Sequence, residues 1–394
     1  MANNRIFYAC QMVGISTMGD NVSANIREAH GVQSVGITTN FNLEQAFELG
    51  QIQIYENIEG LPDVEVTMEK VLDGYPLLYH LCTSGASNES LTARSKARTD
   101  IRLGIYSDDE DFVSGAPDVE VYCSGMYMSS VSYTIPVDGN ATESVTLVGN
   151  NKQWLTSSDK KLTGDDHTVN ISGIDSPKAY KATMGGGIQR REDVLLESSV
   201  FPQTLHGAHA ANIYGNVVSS GANADNSPTA DGGTYGAGYT KNDLGIPSGE
   251  PKVHIQNVSI STDFSREDVL ELGRKTPYFR APGFPIEVSC EIEATTVSGD
   301  FINIYENGDP SFAGTADAGD NITNDMIKIT LRDGTHFDLG DKNKLSSVSY
   351  GGGDATGGNV SCSYSYQNFN VLRVIHPEDP HTDATKTVPT SPTS

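Results

Sequence analysis

Positive charge is scarce in this chain: 26 Lys plus Arg stand against 51 Asp plus Glu, a formal net charge of −25. Binding to nucleic-acid phosphates or anionic membranes draws on basic side chains that release counterions, so a surface of this kind repels both. Cysteine is scarce too. Cys10, Cys82, Cys123, Cys290 and Cys362 are an odd number, widely spaced in 394 residues, which argues against a disulfide framework. Cys290 continues the apolar alternation around it and reads as a small core residue. No apolar run reaches the length of a membrane span. The opening Met-Ala-Asn-Asn-Arg lacks the basic and then apolar regions of a secretory signal, so cytoplasmic synthesis is expected. On that expectation the Asn-x-Ser/Thr triplets, such as Asn88-Glu-Ser and Asn321-Ile-Thr, are chance products of a chain rich in Ser, Thr and Asn.

The motifs of common chemistries are missing as well. Gly185-Gly-Gly187 is followed by Ile-Gln-Arg-Arg without a phosphate-loop lysine. Neither His-Glu-x-x-His nor Gly-x-Ser-x-Gly occurs. His206-Gly-Ala-His209 offers two imidazoles to a metal, but its Gly and Ala flanks read as loop. Asp108-Asp-Glu-Asp111 and the run from Asp317 through Asp320 and Asn324 to Asp325 lack the ligand spacing of a calcium loop and read as solvated acidic turns. The expectation is a protein with no catalytic residue, no metal ligand and no cofactor.

What the chain does contain is itself, twice. Val35-Gly-Ile-Thr-Thr-Asn-Phe-Asn-Leu-Glu-Gln-Ala-Phe-Glu-Leu-Gly50 returns as Val258-Ser-Ile-Ser-Thr-Asp-Phe-Ser-Arg-Glu-Asp-Val-Leu-Glu-Leu-Gly273, an offset of 223 from Gly50 to Gly273. Tyr55 answers Tyr278, and Leu61-Pro62 answers Phe284-Pro285. With Asp63 as a one-residue insertion, Val64 to Glu69 then answers Ile286 to Glu291. Ser129-Ser-Val-Ser-Tyr133 recurs letter for letter as Ser346-Ser-Val-Ser-Tyr350. The period far exceeds that of a solenoid, so the reading is duplication of a whole domain.

Within each copy Val35, Ile37, Thr39 and Phe41, or Val258, Ile260, Thr262 and Phe264, keep the period of two of a half-buried strand. A short helix is expected next. Asn42 with Gln45, and Ser265 with Asp268, form capping boxes; Phe41 on Ala46 and Phe264 on Val269 form staples; Gly50 and Gly273 end the helices. Then Val64, Val66 and Met68 alternate with Glu65, Thr67 and Glu69, as do Ile286, Val288, Cys290 and Ile292 with Glu287, Ser289, Glu291 and Glu293. Later strands are expected over Asp100 to Tyr106, Met326 to Leu331, Ser129 to Tyr133 and Ser346 to Tyr350. The fold expected is mainly β: two tandem antiparallel sandwich or barrel domains, each with one short flanking helix. Their limits fall at 1–160 and 253–376. Residues 161–252 form an insertion or linker with a Gly/Ser-rich arm around Ser219 to Gly238, which also supplies the first strands of the second domain. Residues 377–394 form a flexible Pro/Thr/Ser-rich tail.

The segment Ser259 to Pro285, with Phe264-Ser-Arg-Glu-Asp-Val-Leu-Glu-Leu-Gly273 and Tyr278-Phe-Arg280 inside it, and its weaker copy Thr39 to Pro62, resembles bacteriophage tail tube proteins. The first copy departs where Arg274-Lys275 and Arg280 become Gln51-Ile52 and Asn57. The resemblance implies a virion protein that assembles into stacked, usually hexameric rings, with other tail proteins at the tube ends and DNA passing through without specific binding. A duplicated subunit would complete a pseudo-hexamer as a trimer. Glu65, Glu69, Glu287, Glu291 and Glu293 would then line the bore, opposite Val66, Val288 and Ile292 in the core. Their acidity would keep passing phosphates off the wall. Two other readings of these glutamates stand beside it: an ordinary solvated strand face, and a glycosidase carboxylate pair. The second is disfavoured because Trp154 is the only Trp and the acids recur in both copies. A host-binding or decorating virion protein is the alternative from another class.

Overall fold

The computed structural model describes residues 6, 11–20, 22–50, 52, 54–106, 115–156, 158–162, 187–191, 194–198, 234–235, 239–240, 253–274, 276–296, 327–331, 333–352 and 359–376. The chain is mainly β and its pairings are antiparallel, as its alternation leads one to expect. In the first half, strands run over Gln11–Thr17 (β1), Arg27–Glu28 (β2), Val32–Asn40 (β3), Leu43–Phe47 (β4), Ile54–Glu59 (β5), Asp63–Val71 (β6), Thr99–Ile105 (β7), Val119–Pro136 (β8), Thr142–Gly149 (β9) and Asn151–Leu155 (β10). The helices Leu78–Cys82 (α1) and Leu91–Arg94 (α2) lie between β6 and β7. Then come Val194–Ser198 (β11), Thr234–Tyr235 (β12), Tyr239–Thr240 (β13), Val253–Asp263 (β14), Glu267–Val269 (β15), Phe279–Ala281 (β16), Glu287–Thr296 (β17), Ile327–Leu331 (β18), His336–Asp338 (β19), Lys344–Gly351 (β20), Ser361–Phe369 (β21) and Arg373–Ile375 (β22).

The architecture turns on an eight-stranded path, β3-β6-β9-β8-β14-β17-β21-β20, that runs without a break through both halves of the sequence. Strand β8 is long enough to serve twice. Its first part pairs with β7 and β10, and its second part with β9 and β14. One face of the path is closed by a continuous core including Val66, Met68, Val131, Tyr133, Val145, Val288, Ile292 and Tyr364, against which α1 and the small sheet β11-β18-β19-β22 also pack.

The two halves pass through the same ladder. Val35 faces Met68, Met68 faces Val145, and Val145 faces Val131; Val258 faces Ile292, Ile292 faces Tyr364, and Tyr364 faces Val348. This route equates Val131 with Val348, the middle residues of the two Ser-Ser-Val-Ser-Tyr segments. It also corrects the sequence alignment of the glutamate strands. Val64 sits opposite Thr39 as Val288 sits opposite Thr262, so Val64 matches Val288 and not Ile286. The extra residue belongs to the second copy, and Asp63 is not an insertion. Pairing decides this because a ladder counts backbone positions, while the alternating letters fit equally well after a slip of two.

The expected helices at 42–50 and 265–273 are not formed. Both segments open β-hairpins, β4 with β5 and β15 with β16. The residues read as caps explain why. Asn42 and Ser265 have φ of 46° and 43°, the left-handed region, whereas an N-cap takes extended backbone. Their N–H groups donate to Asn40 Oδ1 and Asp263 Oδ1, 3.1 and 2.7 Å, a turn that competes with helix entry. Gly50 and Gly273 do adopt positive φ, 93° and 86°, but at hairpin tips. The staples are absent as well: Phe41 is 62% exposed and Val269 45% exposed.

A helix does occur where no capping box marks it. α1 starts without a cap from its own N-cap residue, Leu77. Instead Glu143, buried on the neighbouring β9, accepts hydrogen bonds from the Leu78 and Tyr79 N–H groups at 2.6 and 2.9 Å and from the Tyr133 hydroxyl at 3.1 Å. Burial raises its pKa above the usual carboxylate value even against these donors. Glu143→Ala strands all three donors in the core, and a loss of roughly 3 kcal/mol is expected in urea denaturation.

Candidate assembly surface

The eight-stranded path leaves its second face uncovered among the described residues, and the strand period decides what stands there. Glu65, Glu69, Glu287, Glu291 and Glu293 are all exposed, while Val66, Val288 and Ile292 between them are buried. The alternation expected from the sequence therefore holds at every one of these positions. Sequence reasoning missed that Asp63 and Asp263 fall on the same side of the pleat, at its end. Both follow from counting by two along β6 and β14.

The rest of this face is small and polar. A row crosses the whole path as Ser34, Glu69, Ser144, Ser132, Ser261, Ser289, Gln367 and Lys344. Lys344 is the basic residue of that row, and it stands at the margin. Several acids are tied to neighbours: Ser363 Oγ donates to Glu291 Oε1 at 2.5 Å and Gln367 Nε2 to Glu287 Oε1 at 2.7 Å. Ser261 and Ser289 join hydroxyls at 2.7 Å. These bonds hold carboxylates along the sheet with no cation paired to Glu287 or Glu291 among the described residues, giving a negative face of short side chains.

The hairpin β15-β16 is fastened across the rim of the first unit. Arg280, 8% exposed at its side chain, pairs with Asp63 at 2.6 Å and Asp268 at 2.8 Å, and Arg266 Nε donates to the Met128 carbonyl at 2.8 Å. The ring of Phe279 meets that of Tyr127 edge on, centroids 5.9 Å apart. The hairpin β4-β5 has Asn57 and Leu43 in the equivalent places and no such anchor among the described contacts. Its Leu43, Phe47 and Leu49 are exposed at 63%, 66% and 102%. The departure of the first copy from the basic pattern thus coincides with the loss of that anchor among the described residues.

A glycosidase arrangement finds little support. Glu287, Glu291 and Glu293 share one open strand, so their carboxylates do not flank a bond from two sides. One surface recess of about 360 Å³ is lined by Val137, Asp138, Gly139, Asn140, Arg190 and Arg191, with a single carboxylate; another of about 390 Å³, beside α2, has none. Among the described residues there is no group of three His, Cys, Asp or Glu able to hold a metal. His206 and His209, the acidic runs Asp108 to Asp111 and Asp317 to Asp325, and residues 377–394 lie outside the described residues, as does most of the Gly/Ser-rich arm. Among the described residues no helix is long and apolar enough to cross a membrane. Cys82, Cys123, Cys290 and Cys362 are buried and form no disulfide, with burial pushing Cys290 up to about 12.

No protein-family model and no curated protein matches the chain. Solved structures that resemble parts of it include a chain of the anti-feeding prophage baseplate, 10% identical over 39% of this chain and 97% of that one, TM-score 0.30. A chain of the extended sheath–tube complex of an extracellular contractile injection system is 11% identical over 39% and 94%, TM-score 0.29. A chain of the virion of a native gene transfer agent is 8% identical over 38% and 99%, TM-score 0.26.

Proposed function

We propose that this chain is a structural virion protein whose copies build the hollow tube of a phage-type tail, with no catalytic role. The observation that carries the reading is the eight-stranded path itself, one face sealed by a core and the other bare, acidic and nearly free of bases. A sheet of this kind, closed with further copies, would enclose a lumen lined by Glu65, Glu69, Glu287, Glu291 and Glu293. Such a wall lets a polyanion slide by, because it offers phosphates no cation to hold. Two equivalent ladders per chain support duplication of a tube domain and a threefold ring of six similar units, stacked on further rings and meeting other tail proteins at the ends. The place of action is the virion, after synthesis in the host cytoplasm.

Electron microscopy of concentrated protein tests this directly. Long uniform hollow cylinders with threefold symmetry are expected. Discrete particles would point instead to a host-binding or decorating protein, and six whole chains per ring would refute the trimer.

A further inference from the structure

Among the described residues the end strands of the path, β3 and β20, each pair on one side only. They are nine and eight residues long, without proline, lysine stands only at the start of β20, and each has one bulge near its start, at Gln33 and Ser346, as the paired strands β14 and β8 have at Gln256 and Ser129. The same chain contains the pairing that such edges lack. At the junction between the halves, β8 meets β14 with Tyr133 opposite Ile260, Ser132 opposite Ser261 and Val131 opposite Thr262. β20 is the ladder equivalent of β8, and β3 that of β14.

Burial separates the two sets of equivalents. At the internal junction Val131, Tyr133, Val258 and Ile260 are each 1% exposed and Phe264 is 0% exposed. At the open edges their counterparts are uncovered: Phe41 is 62% and Tyr350 52% exposed, and Val35, Ile37 and Val348 are only partly buried. The apolar residues of a finished seam are present on both edges, and the other half of the seam is missing.

We infer that β3 of one chain pairs with β20 of another in the antiparallel register of the internal junction, which sets Ile37 opposite Tyr350, Thr38 opposite Ser349 and Thr39 opposite Val348. The apolar members fall on the core side in both strands: Ile37 is paired with buried Val66, and Tyr350 with buried Cys362. Phe41 then enters the seam as Phe264 does, its N–H reaching the Ser346 carbonyl of the second copy as Phe264 N reaches the Ser129 carbonyl at 2.8 Å. The seam joins head to tail, so it generates a ring or a filament and not a closed dimer. The inference rests on the reading of the sheet as an assembling wall, but it specifies a register which that reading leaves open.

Cysteine crosslinking tests it. Thr38 and Ser349 are exposed, and their counterparts Ser261 and Ser132 alternate with the hydrogen-bonded pair Phe264–Ser129, a non-hydrogen-bonded site where side chains lie close. They stand at opposite ends of the eight-stranded path, so a bond between them joins two chains. Full-length protein carrying Thr38→Cys and Ser349→Cys, mildly oxidised at assembling concentration, is expected to run as covalent multimers on a non-reducing gel. Thr38→Cys with Ser347→Cys is displaced by two residues. It should crosslink at least about tenfold less, since a diagonal neighbour lies roughly 7–8 Å away and a disulfide spans about 4.4–6.8 Å between Cα atoms. Equal crosslinking, crosslinking in the displaced pair alone, or none in either overturns the register. Cylinders without crosslinks would sink this seam and leave the tube standing; crosslinks without cylinders would do the reverse.

Discussion

Glu120→Ala is expected to unfold this protein far more readily than any surface change, with a loss of about 3–5 kcal/mol. Glu120 on β8 and Arg102 on β7 are diagonal neighbours in the ladder, with side chains 0% and 2% exposed, joined by a direct ion pair. The guanidinium also lies over the Tyr122 ring, 4.1 Å from its centroid. The second carboxylate oxygen accepts the N–H groups of Lys161 and Leu162 at 2.8 and 2.9 Å, which fixes the segment after β10 against the sheet. Removing the acid leaves a buried cation and two unpaired N–H groups, a cost set by desolvation and not by the attraction lost. Arg102→Met with Glu120→Leu should recover much of the loss, because it removes both charges together. Denaturant midpoints of the parent and the two variants check it; a double variant as unstable as Glu120→Ala would refute the explanation.

The second large effect concerns transport. Lysine at Glu65, Glu69, Glu287, Glu291 and Glu293 should leave the fold nearly as stable as before, since exposed charge pairs are worth about 0–1 kcal/mol each. Five swaps of two charges take the formal net charge from −25 to −15, and every new cation stands on one face. Assembled protein is then expected to hold DNA where the parent does not, and to stall its release. If five lysines each meet a phosphate, affinity should fall roughly 500-fold between about 50 and 200 mM salt. DNA titration of assembled protein at several salt concentrations reads this. Normal release of DNA by the lysine variant at low salt, or side chains found on the outside of the assembly, would end the acidic-bore mechanism even if tubes form.

The order of residues alone settled which of them alternate and which way each strand faces. From the two-residue period one could name the buried Val66, Val288 and Ile292 and the exposed glutamates between them, because a pleat leaves a side chain only two directions. It also showed stretches of the first half recurring in the second. It did not determine the hairpins, since Asn42 and Ser265 satisfy the letters of a helix cap and the choice fell to their left-handed backbone and to the partner strands β5 and β16. A further signal was present in Asn40 and Asp263, two residues upstream, whose side chains close the turn. Nor could it tell Phe41 from Phe264. Both follow equivalent strands, yet one is 62% exposed and the other 0%, because among the described residues only one of the strands has a neighbour on its far side. Edge or interior is a property of the whole sheet, and the strand order that decides it is written in contacts between segments more than a hundred residues apart.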